Sequence, residues 1–95
     1  MAKADVSENP LLQEWGGDFA LPPFAEIDDA DFAPAFAAAL STARAAVAEV
    51  AACAAPATFA NTIAALEGAE VLLDRVAGVF FNLAGADSTP AREAL

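Results

Sequence analysis

TFANTIAALEGAEVLLDRVAGVFFNLAGAD, residues 58–87, is the stretch whose reading decides the fold. Phe59, Thr62, Leu66, Ala69, Leu73, Val76, Phe80 and Leu83 recur at alternating spacings of three and four, which gathers them on one face of an α-helix. Leu72 and Val79 widen that stripe. Thr58 is suited to the N-cap because its hydroxyl can accept from an otherwise unpaired amide of the first turn, and Pro56 ends any helix that precedes it. The stretch therefore predicts one long amphipathic helix over residues 58–86.

The same residues carry a family resemblance. Residues 58–87 resemble the N-terminal helical region of the thimet oligopeptidase family of zinc metallopeptidases, in its peptidyl-dipeptidase (dipeptidyl carboxypeptidase) branch. NPLLQEW, LPPFAEI and DFAPAFAAAL stand upstream in the same order and at similar spacing as in that family, so the resemblance spans residues 9–87. It departs from the family at Asp31, Ala33 and Ala60. The resemblance implies an all-α segment that is structural within a larger enzyme. It also implies that zinc and the peptide substrate belong to an HExxH motif and a downstream glutamate, which activate water against a peptide carbonyl. Neither element is present here.

Upstream of the deciding stretch, Phe36, Leu40, Ala43, Val47, Val50 and Ala54 form a second stripe, with Phe32 and Cys53 beside it, and predict a helix over residues 34–54. Asp28 and Asp29 can cap a first turn, and Asp31 adds negative charge where the helix dipole favours it. Pro34 would meet the carbonyl of Ala30 if that turn ran on smoothly. The helix is therefore expected to restart with Pro34 at its first position and to bend there. The connection over 55–57 is short enough to fold the two helices back on each other. After Gly85, the run Asp87-Ser88-Thr89-Pro90 reads as a stop, a polar cap and the start of a third helix.

The leading residues differ in kind. Residues 1–8 are polar and acidic and read as a disordered tail. Residues 9–27 interleave Pro10, Gly16, Gly17, Pro22 and Pro23 with Leu11, Leu12, Trp15, Phe19, Leu21, Phe24 and Ile27. That is too much apolar bulk for a linker, and it predicts an extended arm laid across the helices, with a short turn at 10–14. LPPF within it is also a possible polyproline ligand. The expected fold is all-α: an antiparallel hairpin of two long helices, about 34–54 and 58–86, with an extended apolar arm and the start of a third helix. Residues 9–95 are expected to form the N-terminal helical segment of a larger peptidase, a fragment rather than a catalytic domain.

Composition limits the functions open to the chain. Of 95 residues, 28 are alanine, so the 58% hydrophobic content contributes more helix than burial. Fourteen acids against Lys3, Arg44, Arg75 and Arg92 give a net charge of −10, the wrong sign for nucleic acid or anionic lipid. The longest uncharged run, residues 50–66, contains Pro56, Thr58, Asn61 and Thr62 and does not read as a bilayer span. No apolar leader follows Lys3, and a cytoplasmic location is expected. The chain has no histidine and a single cysteine, which removes imidazole bases, Ser/His and Cys/His pairs and the usual zinc ligand sets.

Four features have a functional reading beside a plainer one. Glu67, Glu70 and Asp74 share one side of the second helix, an arrangement open to a carboxylate metal site, but a solvated face partly paired with Arg75 is the stronger reading, with Glu70 half buried. Asp87-Ser88 is similar to the phosphopantetheine attachment site of acyl carrier proteins, yet Thr89 and Pro90 follow where that motif needs an apolar residue, and a helix cap explains it. Cys53 is expected to be packed, and Trp15 to anchor the arm rather than bind a ligand. No catalytic, cofactor-binding or metal residue is expected. Gly68, Gly78 and Gly85 lie off the apolar stripe beside Val71 and Phe81, on a face with no owner within the chain. The partners expected for that face are the remainder of a peptidase chain or a second copy, or, for a free-standing acidic interaction module, a partner helix.

Overall fold

The computed structural model describes residues 6–95. Of the tail expected over 1–8, residues 1–5 lie outside the described residues, and Val6–Glu8 forms a 3-10 turn. The fold is an all-α antiparallel hairpin. Its first arm is α1, Phe32–Ala52. Its second is a π-helical turn, Phe59–Ala64, running into α2, Ala65–Ala69, and α3, Val71–Ala86. A short α4, Pro90–Glu93, closes the described chain.

Two of the helix starts follow from capping chemistry. Thr58 accepts from the Asn61 amide at 3.1 Å while Asn61 Oδ1 accepts from the Thr58 amide at 2.7 Å, a reciprocal box that satisfies two otherwise orphaned donors. Thr89 Oγ1 accepts from the Arg92 amide at 3.2 Å, with Pro90 at the first helical position, as its missing N–H and fixed φ favour. At α1 the expectation needs correction. A 3-10 turn, Asp29–Asp31, leads directly into α1, and Pro34 lies inside the first α-helical turn rather than starting it. Amides of a first turn have no intrahelical acceptor, so the missing N–H of Pro34 costs no hydrogen bond there. The change of helical type falls at residues 31–32, ahead of the proline.

Two further boundaries differ. α1 ends at Ala52, and Cys53 and Ala54, expected inside the helix, belong to the exposed connection, where continuing the helix would bury nothing. The long second helix is broken at Glu70 (φ −105°, ψ 6°). The wide turn at its start shifts the side-chain phase, and Gly68 weakens the helix two residues before the break.

The core is thin, and it is centred on alanine. Phe32, Ala35, Ala39 and Ala43 are buried along α1, facing Ala69, Val76 and Val79. This face is rotated from the stripe of bulky residues predicted for α1. Phe36 is only half buried, and Leu40 and Val47 are exposed, because the small side chains at 35, 39 and 43 let the second helix approach where larger ones would hold it off. Phe80 fills the wider end, meeting Phe32 edge-on at 5.1 Å and Phe36 at 5.7 Å between ring centroids. Phe59 and Leu66, both counted in the predicted stripe, are exposed on the early turns of the second helix. Ala39→Leu should therefore lower stability by about 1–3 kcal/mol through overpacking, measured by denaturant unfolding. Leu40→Ala, one residue along on the flank, should cost less.

The same alanines make the helical run Asp29–Ala52 long and apolar enough to cross a bilayer by length and composition alone, with hydropathy 1.3. The longest uncharged run of the sequence, residues 50–66, lies largely outside this helix and does not read as a span.

The arm is a chain of short 3-10 turns, Pro10–Leu12, Asp18–Ala20 and Phe24–Glu26, rather than one extended strand. Its first part docks: Asn9, Pro10 and Leu11 are buried, and Leu12, Trp15 and Ile27 pack partly against the core. Its middle does not. Phe19, expected against the helices, is 93% exposed, and both it (φ 60°) and Ala20 (φ 50°) lie in the left-handed region that side chains disfavour.

Candidate interaction surface

Three polar residues fasten the arm and the third helix to the hairpin. Asn9 is buried and donates from Nδ2 to the backbone carbonyl of Asp31 at 2.8 Å, while its Oδ1 accepts from the Leu11 amide at 3.0 Å. One side chain thus caps the first docked turn of the arm and joins it to the start of α1. Asn9→Ala should cost about 1–3 kcal/mol, since the Asp31 carbonyl and the Leu11 amide would both lose a partner in a place water does not reach. Thermal unfolding followed by circular dichroism reads that loss.

Arg75 is the second fastener. Its Nη2 donates to the carbonyl of Leu11 at 3.0 Å and to that of Gln13 at 2.5 Å, and its guanidinium lies 4.3 Å from the Trp15 ring centroid. Trp15 in turn donates from Nε1 to the Pro10 carbonyl at 2.9 Å. The expectation that Trp15 anchors the arm is met. The expectation that Arg75 pairs with the acids of the second helix is corrected: it turns the other way, because arm carbonyls and an aromatic face are available in a partly dry site. Its Nε is buried without a partner among the described residues.

Arg92 is the third. It donates to Asp29 Oδ1 at 2.8 Å and to Asp87 Oδ2 at 3.1 Å, tying α4 to the turn before α1. These carboxylates raise its already high pKa, the hydrogen bond to Asp29 contributing most, so it stays a cation. Ser88 donates to Glu93 Oε1 at 2.9 Å, so both members of the Asp-Ser pair serve the local structure of α4.

The remaining candidates are surface groups. Glu67, Glu70 and Asp74 are all exposed, and Glu70 is not half buried as expected, because the helix break at that residue turns it out to solvent. Among the described residues no three Asp, Glu or Cys side chains are grouped to hold a metal ion. Cys53, expected to be packed, is exposed on the connection between the helices. Pro23, with ψ 68°, is not in the polyproline conformation that a groove-binding ligand would present.

The arrangement leaves apolar side chains in solvent on the outside of the second helix: Ile63 is 54% exposed, Val71 62% and Phe81 68%. A Cβ added at Gly68, Gly78 or Gly85 would meet nothing within 4 Å. The arm flanks that glycine face, with Leu21, Pro22 and Phe24 walling a hollow beside Gly78, without the close backbone approach that would explain the glycines. Sequence reasoning missed Asn9 as a fastener and Arg92 as a bridge. The signal for Asn9 was present in the Asn-Pro-Leu-Leu order, a cap residue ahead of a proline and two apolar residues. No protein-family model matches the chain, and no curated protein matches it.

Proposed function

We propose that this chain is the N-terminal structural segment of a zinc-dependent peptidyl-dipeptidase, without catalytic residues of its own, and that its hairpin packs against the remainder of that enzyme in the cytoplasm. The observation that carries the reading is the ordered resemblance over residues 9–87. The exposed Val71 and Phe81 are compatible with it, since a packing segment leaves apolar surface for its neighbours. In this reading zinc and substrate are held by the HExxH motif and glutamate of the rest of the enzyme. This hairpin supplies a wall, and hydrolysis of a peptide near its C-terminus takes place elsewhere.

The same exposed residues, on a chain of net charge −10, favour a second reading as a free-standing acidic hairpin that docks a partner helix. The two separate on the coding sequence beyond Leu95. An in-frame HExxH with a later glutamate supports the peptidase reading, and a stop codon directly after Leu95 contradicts it.

A further inference from the structure

The outer face of the second helix has an apolar and a charged character that together specify what can cover it. Ile63, Val71 and Phe81 stand out from it into solvent, and Gly78 and Gly85 leave its backbone open to close approach. Val71, Gly78 and Gly85 repeat at seven, the spacing at which one helix keeps the same side toward a packed neighbour. The charges on this face are Glu67 and Asp74, with Glu70 at its edge, all exposed.

The nearby bases are engaged or set to one flank. Arg75 lines the same hollow as Asp74 and Gly78, but its Nη2 is held by the carbonyls of Leu11 and Gln13, and Arg44 of α1 lines a hollow with Glu70 and Leu73 on the flank toward α1. On the other flank the arm leaves Leu21 and Phe24 exposed beside Asp74 and Gly78, where they wall a hollow of about 510 Å3.

We infer that this face docks a cationic amphipathic helix, one presenting an apolar stripe to Val71, Gly78 and Phe81 with lysine or arginine on its margins opposite Glu67 and Asp74. A second copy of this chain is a poor occupant, because each copy carries a charge of −10 and pairing these faces would bring carboxylates together. The inference rests on reading the chain as a packing segment and adds the chemistry of what it packs against. It is tested without reference to any downstream sequence, so either can fail alone.

The probe is a synthetic helical peptide of leucine and lysine with leucines at helical spacing, compared with the same peptide carrying glutamate for lysine, each titrated into the full chain. The lysine peptide should bind saturably at one per chain, and the glutamate peptide should not bind. Glu67→Gln with Asp74→Asn should weaken binding about tenfold, whereas Glu14→Gln with Asp18→Asn, which removes the same charge elsewhere, should change it less than about twofold. Gly78→Leu should keep the helical circular dichroism and abolish binding by blocking close approach. Equal losses in the two charge-matched double variants, unimpaired binding by Gly78→Leu, or a dimer in sedimentation that Phe81→Ser dissolves would each overturn the inference.

Discussion

Phe32→Ala is expected to lower the thermal midpoint by at least about 12 °C, the largest effect of any single truncation in this chain. Phe32 is 1% exposed, sits at the first position of α1 and meets Phe80 edge-on at 5.1 Å. Removing a fully buried phenylalanine costs about 3–5 kcal/mol. One kcal/mol moves the midpoint of a domain this size by about 4–8 °C. The total stability of such a domain is roughly 5–14 kcal/mol, so the variant gives up about a fifth of it or more. Phe81→Ala is the internal control. Phe81 touches the same Phe80 ring but is 68% exposed, and its loss should move the midpoint by only a few degrees. Equal shifts for the two would contradict the core described here.

Leu11→Ala should come next, at about 2–5 kcal/mol. Leu11 has no exposed surface, and it belongs to the arm while packing in the core of the hairpin. Its backbone carbonyl is also an acceptor for Arg75, so the loss should be felt beyond its own volume. Trp15 is the only tryptophan and lies against Arg75, which makes its fluorescence a direct report of whether the arm stays docked. The expected result is a red-shifted emission in Leu11→Ala at temperatures where α1 and α3 still give a helical signal. Phe19→Ala, at a side chain 93% exposed, should leave both readings unchanged.

These contrasts mark where the sequence could be read and where it could not. The hairpin was legible because alternating spacings of three and four from Phe59 to Leu83, a capping threonine and a short connection all point to the same arrangement. Which side of α1 faces the partner was not. A stripe of Phe36, Leu40 and Val47 outweighs Ala35 and Ala39 on any hydrophobicity scale. Yet close helix approach rewards the smaller side chains, and the larger ones are left on the flank. The break at Glu70 was hidden for a related reason: the periodic pattern continues through it, and only the wide turn at Phe59–Ala64 shifts the phase. The arm was legible as apolar bulk that must dock, but not residue by residue. Leu11 and Phe19 look alike in the sequence, and they differ in the neighbours that Asn9 and Arg75 bring to the first and not to the second. The outer face of the second helix was legible from Phe80 and Phe81 alone. Adjacent residues on a helix lie about 100° apart, so both cannot join one seam.

We propose above that this hairpin is a non-catalytic wall of a larger peptidase. It is tested most directly by assaying release of C-terminal dipeptides from a set of short peptides, with this chain alone and with the product of its whole reading frame. The account predicts no release by residues 1–95 and chelator-sensitive release by the whole product. Dipeptide release by residues 1–95 alone, or a whole product that releases none with zinc supplied, would contradict it.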